Sequence, residues 1–352
     1  MFIAKKQQAP QDWTAIAVWL AAQGLTLDKD VEIKQFASGV ANLNYLISIN
    51  GQPAVLRRPP GGDLPPGAYD LSRQYKIYSR LGKLLPTVPK GIAYCEDEAI
   101  IGVPFFVIEF RKGTAISRDL PEQLAGVKNI GDTLSRLMVT ALAELHSIPP
   151  EDAGLTDLGN PDGFVMRQVA GWHKRAARVM SDEQMLKVSA ITDWLQQHPP
   201  QAQRPAIAHL DFKLDNVLID LDTLTVQALI DWELSTVGDP VYDMIMMLVT
   251  WGEPNDDEVY DNLCCMPSKS EGWWARRQVI AAYAEATGFT ISEADIKFYW
   301  ILALLRTLVA VAQLLALYER EAMPNASKVD LPKVMTTTLA RAFHLIESPL
   351  DW

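Results

Sequence analysis

The stretch His209-Leu210-Asp211-Phe212-Lys213-Leu214-Asp215-Asn216 is the part of the chain richest in groups that can do chemistry. It lies between two apolar runs, Pro205 to Ala208 and Val217 to Ile219. Asp231 comes fifteen residues after Asn216, in Ile-Asp-Trp-Glu, directly behind the apolar run Ala228 to Ile230. Strand ends flanking a tight loop present polar groups on a rigid scaffold. Two strands of a hairpin would therefore deliver Asp211, Asn216 and Asp231 to one end.

These residue types suit phosphoryl transfer, which asks a protein mainly to position reactants and neutralise charge. A carboxylate must accept or orient the proton of an attacking hydroxyl, and Asp211 suits that role. A hard cation bridging phosphates needs oxygen ligands, and Mg²⁺ takes only one or two from the protein. Asn216 offers an amide oxygen and Asp231 a carboxylate. Lys213 reads as the cation that offsets charge on the transferred group. One Asp or Asn alone reads as a turn residue; three at these spacings, with Lys213 between, read as a site. Their neighbours read differently. Asp215 and Asp220 suit solvated or turn positions, and Asp243 a structural one. Asp239-Pro240 resembles a helix start with Pro at the first position. Glu233 either aids the metal or caps the loop, and His209 is tempting as a general base, though Asp211 is the better-placed proton acceptor.

The elements that must position this site divide into two kinds. A short amphipathic helix is expected over Gln11 to Gln23. The runs Val31 to Phe36, Tyr45 to Ile49 and Pro53 to Arg57 are rich in β-branched or aromatic residues, and Asn50-Gly51 signals a type I′ hairpin between the last two. Pro59 to Gly67 must be a loop. Asp70 to Leu81 has helical spacing, with Leu71, Tyr75, Tyr78 and Leu81 on one face. Ile92 to Cys95 and Phe105 to Phe110 read as two more strands. Beyond about Leu120 the pattern turns helical: Ile130 to His146, Asp162 to Met180, Glu183 to Gln197, Pro240 to Trp251, Glu271 to Thr287, Ser292 to Arg320 and Leu331 to Ile346. The expectation is α+β, with a β-rich nucleotide-binding lobe over 1–110 and a helical lobe over 111–352 carrying the catalytic loop and the acceptor site. Strands and helices do not alternate as a doubly wound sheet requires.

The bulk numbers limit the partners. The chain has 352 residues and a formal net charge of −11, with 49% hydrophobic and 21% charged residues. Such a chain has no global field to attract nucleic acid or an anionic membrane, so an anion such as a nucleotide must be held locally. Three cysteines, Cys95, Cys264 and Cys265, form neither a disulfide framework nor a zinc motif, which fits a reducing cytoplasm. The opening MFIAKKQQAP has no apolar run of the signal-peptide kind. Phe298 to Leu317 is long enough to span a bilayer, but Arg306 and Gln313 inside it favour a buried helix. Arg306 there is either a satisfied buried cation or part of an acceptor pocket. Arg167, His173, Lys174, Arg175 and Arg178 form either a solvated basic face or a patch for a phosphate-bearing acceptor.

The His-x-Asp-x-x-x-x-Asn loop followed by Asp231-Trp232-Glu233, with Gly238-Asp239-Pro240-Val241-Tyr242-Asp243 behind it, resembles the aminoglycoside phosphotransferase and choline kinase-like family, which shares the protein-kinase fold. The resemblance implies an ATP- and Mg²⁺-dependent kinase of a small-molecule hydroxyl, with Asp211 and Lys213 catalytic, Asn216 and Asp231 on the metal, and His209 structural, bonding the loop backbone. It also implies a phosphate-covering loop within Phe36 to Ile49, including Ser38, Gly39 and Asn42. Arg57 stands where the cation for the α- and β-phosphates is usually Lys, and Gln74 where its Glu partner usually stands. Glu109 and Phe110 match the hinge beside the adenine. The runs Arg57-Arg58-Pro59-Pro60-Gly61-Gly62, Val103 to Phe110 and Asp231 to Pro240 resemble the branch whose longer relatives fuse this module to an acyl-CoA dehydrogenase. That implies a hydroxyacyl-CoA acceptor. The alternatives are an amino-alcohol, a sugar or an aminoglycoside, or a nucleotide-binding pseudokinase scaffold.

Overall fold

The computed structural model describes residues 2–37, 42–60, 70–321 and 330–350. In chain order come α1 (Trp13–Ala22), β1 (Lys34–Gln35), β2 (Leu43–Ile49), β3 (Gln52–Arg58), α2 (Leu71–Arg80), β4 (Gly91–Cys95) and β5 (Phe105–Glu109). Then follow α3 (Ile130–Ser147), α4 (Phe164–Ala176), α5 (Asp182–Gln197), β6 (Ala206–Ala208), β7 (Val217–Asp220), β8 (Thr225–Leu229) and β9 (Thr236–Gly238). The chain continues through α6 (Pro240–Val249), α7 (Glu258–Leu263), α8 (Arg276–Thr287), α9 (Glu293–Glu321) and α10 (Leu331–Glu347). The fold is α+β, with an antiparallel five-stranded sheet of order β1-β2-β3-β5-β4 and a larger helical part.

Local chemistry explains the sheet. Asn50 and Gly51 have φ of 52° and 75°, the positive pair that a type I′ turn needs, and they join β2 to β3. In β5 the side chains alternate: Phe105 and Val107 enter an apolar cluster with Ile16 and Leu20 of α1, while Phe106 and Ile108 enter the larger cluster shared with α2 and the helices. The same parity in β3 sends Ala54 and Leu56 toward α1 and Val55 toward α2. Arg57 therefore shares the α2 side, and its register partner is Phe106. A residue shift would turn it away from the site.

The structure departs from the sequence expectations at four places. Of the run Val31 to Phe36, only Lys34–Gln35 is strand, because Val31 is drawn into a turn, its N–H donating to Asp28 O at 3.3 Å. The strand β9 was not anticipated; its three residues exist as a strand because they pair with β6, Ala206 against Gly238 and Ala208 against Thr236. The short α7, capped by the Asp257 carboxylate, was also missed. Finally, α8 begins at Arg276 rather than near Glu271. The preceding Trp274 is held by side chains of α3, its N–H by Ser135 Oγ and its indole N–H by Asp132. Of the expected loop Pro59 to Gly67, residues 61–67 lie outside the described residues.

The segment leaving β5 is tied down at once. Thr114 and Ile219 exchange both backbone hydrogen bonds, at 2.8 and 3.0 Å. A Cβ on Gly113 would stand 2.9 Å from Leu218 Cβ, so only glycine lets the connector lie this close to β7. Leu229 N–H donates to Thr87 O at 2.7 Å, tying the loop before β4 to β8. The sheet is thus fastened to the β7–β8 hairpin from two directions. The helix α9 is long and apolar enough to cross a membrane by length and composition alone, and Phe298 to Leu305 within it are each fully buried in the helical core.

Candidate active site

The β7–β8 hairpin sits inside the β6–β9 pair, so the loop leaving β6 and the turn leaving β8 emerge side by side. The Ile230 N–H donates to Asn216 O at 3.0 Å, and His209 donates from Nε2 to Ile230 O at 2.9 Å. His209 is fully buried and bonds the backbone, the structural part expected of it. Both junction residues have left-handed backbones: Leu210 at φ 60° and Asp231 at φ 68°. Such conformations cost a non-glycine residue about 1–3 kcal/mol and persist only where surroundings hold them.

What holds Leu210 is visible. The Asp243 carboxylate on α6 accepts from His209 N at 2.6 Å and Leu210 N at 2.7 Å. It also accepts from His146 Nε2 on α3 at 3.0 Å, while His146 Nδ1 lies 2.5 Å from the Tyr283 hydroxyl on α8. All five residues are buried. Burial would raise the Asp243 pKa, but the His146 hydrogen bond, the charges of His146 and His209 and the loop amides outweigh it, and the pKa falls below the usual carboxylate range. Asp243 is structural, as expected of it. Asp239 caps α6 through Val241 N and bonds the Tyr299 hydroxyl at 2.7 Å.

On this fixed backbone the site side chains converge. Asp211 Oδ2 receives Asn216 Nδ2 at 2.8 Å and lies 3.2 Å from Lys213 Nζ. Asn216 Nδ2 also donates to Asp211 O at 2.8 Å. With its nitrogen spent on Asp211, Asn216 presents its amide oxygen elsewhere. Lys213 lies 3.9 Å from Asp215 as well. Burial would lower the Lys213 pKa, but the charges of Asp211 and Asp215 raise it instead. Asp215 is pushed up, first by burial and then by the charge of Asp211, against the lowering effect of Lys213.

Asp231 Oδ1 forms a 2.9 Å ion pair with Arg57 Nη2, and Glu233 stands 3.9 Å from the same nitrogen. The Glu233 pKa is raised by burial and then by the Asp231 charge. Arg57 thus reaches the site from β3, but it pairs with Asp231 and Glu233 rather than with Gln74. Gln74 is buried on α2, with Oε1 unbonded among the described residues. Tyr78, one helical turn further along, is the fully buried α2 residue lying against both Arg57 and the Asp231 backbone, and burial pushes its hydroxyl up to about 12. Sequence reading placed Tyr78 on the apolar face of this helix but not beside Arg57. It also missed the part of His146, whose clue was a lone His on an otherwise apolar helix face.

The remaining candidates divide. Ser38 and Gly39 lie outside the described residues. Asn42 is buried, with neither amide atom hydrogen-bonded among the described residues. The Glu109 carboxylate pairs with Arg111 at 3.0 Å and accepts from Lys90 N at 3.3 Å. The N–H groups of Glu109 and Phe110 are taken by Lys90 O and Pro53 O. The rings of Phe110 and Phe36 lie near-parallel, 6.5 Å apart. Among the described residues no three His, Cys, Asp or Glu side chains cluster as a metal cage. A pair of hard oxygens from Asn216 and Asp231 is the sparser donor set that suits Mg²⁺.

Known proteins resemble the chain at two levels. A family model described as "Phosphotransferase enzyme family" matches residues 32–278. Among curated proteins, Acyl-CoA dehydrogenase family member 10 of Mus musculus is 33% identical over 64% of this chain and 21% of its own length. Acyl-CoA dehydrogenase family member 11 of Pongo abelii is 28% identical over 88% of this chain and 39% of its own length. The chain therefore spans well under half of these relatives. Among solved structures, a Ralstonia eutropha protein provisionally assigned as an aminoglycoside phosphotransferase superposes with a TM-score of 0.77 at 24% identity, covering 97% of this chain and 100% of that one. Aminoglycoside phosphotransferase APH(4)-Ia, in ternary complex with ADP and hygromycin B, superposes with a TM-score of 0.60 at 13% identity, covering 96% of this chain and 100% of that one. Both likenesses are of fold.

Proposed function

The chain belongs to the phosphotransferase enzyme family, and on that premise we propose that it moves the γ-phosphoryl group of ATP to the hydroxyl of a small molecule, with Asp211 as the residue that receives the acceptor. The observation that carries this reading is the Asp211 carboxylate, held between Asn216 Nδ2 and Lys213 Nζ on a backbone fixed from beneath. A carboxylate so oriented, with about a third of its side chain exposed, can accept a hydroxyl proton as the oxygen attacks phosphorus. Lys213 then neutralises charge on the transferred group. We assign Arg57 and Asn42 to the phosphate side of the site, and Ser38 and Gly39 to it by resemblance alone. Glu109 and Phe110 border the base; because their amides are spent within the sheet, the base meets the Phe110 ring rather than these donors. Asn216 and Asp231 would hold Mg²⁺, which when bound neutralises phosphate charge and aligns the phosphoryl group. We assign residues 1–110 to a nucleotide-binding lobe and 111–352 to a lobe bearing the catalytic loop and the acceptor site.

The acceptor we favour is a hydroxyacyl-CoA. The names of the curated relatives support it, and so does the basic end of α4, with His173, Lys174 and Arg175 in its last turn. The Arg175 guanidinium lies 4.5 Å from the centroid of Trp172. Cations on the α4 face suit the phosphates of coenzyme A. An acceptor screen by mass spectrometry tests the reading: wild type with ATP, Mg²⁺ and a pool of hydroxyacyl-CoAs, amino-alcohols, sugars and aminoglycosides. The expected result is a mass gain of one phosphoryl group on a hydroxyacyl-CoA, lost with Asp211→Ala. A gain on an aminoglycoside instead would overturn the choice of acceptor but keep the reaction.

A further inference from the structure

Arg306 is a buried cation in the middle of the apolar helix α9, flanked by the fully buried Leu304, Leu305 and Leu308. An unpaired charge in such a place is strongly unfavourable unless its donors are satisfied. No carboxylate pairs with it among the described residues. Its guanidinium instead donates from Nη2 to Leu210 O at 2.7 Å, in a buried hydrogen bond that joins residues 96 apart in sequence. The ring of Trp172 provides a second, weaker contact.

Leu210 is the residue before Asp211, and it has the left-handed backbone at φ 60°. Its N–H is held by the Asp243 carboxylate from α6, and its C=O by the Arg306 guanidinium from α9. A negative and a positive group thus grip opposite ends of one strained residue, each along the direction of its backbone dipole. The carbonyl that Arg306 holds belongs to the peptide plane whose nitrogen is that of Asp211. Fixing that plane fixes the direction in which the Asp211 side chain leaves the backbone.

We propose that Arg306 is a positioning residue for phosphoryl transfer, orienting Asp211 through the Leu210 carbonyl. The inference rests on the reading of Asp211 as the group that receives the acceptor. It also gives the Arg in the apolar middle of α9 a part that a hydrophobic residue of similar volume lacks. Loss of the contact lets the 210–211 peptide rotate, and a misplacement of about 1 Å at a reacting group can cost about a hundredfold in rate.

Two measurements on the full chain test this, with Arg306→Met, the conservative Arg306→Lys, and Asp211→Ala as reference. The first is hydrogen–deuterium exchange over residues 209–216. Arg306→Met is expected to raise exchange there while leaving 217–229 unchanged, with Arg306→Lys close to wild type. The second is slow ATP hydrolysis with water as acceptor, read beside calorimetric Mg²⁺·ADP binding. Arg306→Met is expected to lower kcat about ten- to a hundredfold with ADP affinity within about threefold, and Arg306→Lys to recover most of the rate. Unchanged exchange in Arg306→Met overturns the inference whatever the activity. Raised exchange with a wild-type hydrolysis rate also overturns it, provided Asp211→Ala is impaired. Absence of hydrolysis in wild type would speak against the phosphotransfer reading itself, while the exchange data still decide whether Arg306 holds the loop.

Discussion

Arg57 and Asp231 form the ion pair at the proposed nucleotide side. Their 2.9 Å contact is a charge-assisted bond, and such bonds contribute about 1.5–3 kcal/mol. A phosphate arriving at Arg57 and a cation arriving at Asp231 would share the energy now spent on that pair. Arg57→Met should therefore weaken Mg²⁺·ADP binding about tenfold or more, measured by calorimetry; unchanged affinity would remove Arg57 from the phosphate side. Asp231→Asn should weaken Mg²⁺-dependent binding more than Asp211→Ala does, since one would lose a cation ligand and the other only the group that receives the acceptor. A larger loss for Asp211→Ala in the same titration would exchange those two assignments. The spacing of Asp211, Lys213, Asn216 and Asp231 was legible because each residue's chemistry is local and each flanks a short apolar run. Tyr78 was not legible as a partner of Arg57, because that contact depends on how α2 rotates against β3.

Among the elements, α3, α6 and α8 act together on the catalytic loop through His146, Asp243 and Tyr283. Removing the Asp243 charge leaves two loop amides and an imidazole facing a neutral amide, so Asp243→Asn should destabilise the fold by about 3–5 kcal/mol. The acid dependence follows from the lowered Asp243 pKa. A carboxylate with a depressed folded-state pKa contributes stability fully above its unfolded value near 3.8 and loses it as pH falls through the folded one. Wild type should lose unfolding free energy below about pH 4, a loss that Asp243→Asn should lack in part; identical slopes in urea titrations would contradict this. A second contact acts at the same scale. A Cβ on Gly131 would lie 2.6 Å from the backbone of Gly272 and Trp273, so Gly131→Ala should cost about 1–3 kcal/mol by overpacking and lower the melting temperature. The sequence located α3 and α6 because their apolar spacing runs over several turns. It could not locate β9, whose three residues become a strand only by pairing with β6, nor α7, which has less than two turns of pattern.

For the whole molecule, one division organises the chain: alternate faces of β5 feed an apolar cluster closed by α1 and a larger one that continues into the helices. That sharing, together with the Thr114–Ile219 and Leu229–Thr87 hydrogen bonds, sets the sheet in a fixed relation to the hairpin bearing the site. Fold class was readable from the order of strands and helices, since period-two and helical segments fall in separate parts of the chain. The acceptor was not readable from residue chemistry; only the resemblance of the runs 57–62, 103–110 and 231–240 implied one. The central claim, that Asp211 carries phosphoryl transfer on a nucleotide site that forms without it, is tested most directly by ADP release from Mg²⁺·ATP in wild type and Asp211→Ala at matched nucleotide occupancy. The account predicts release at least about a hundredfold slower in the variant, with ADP affinity retained. Equal release from both proteins would contradict it.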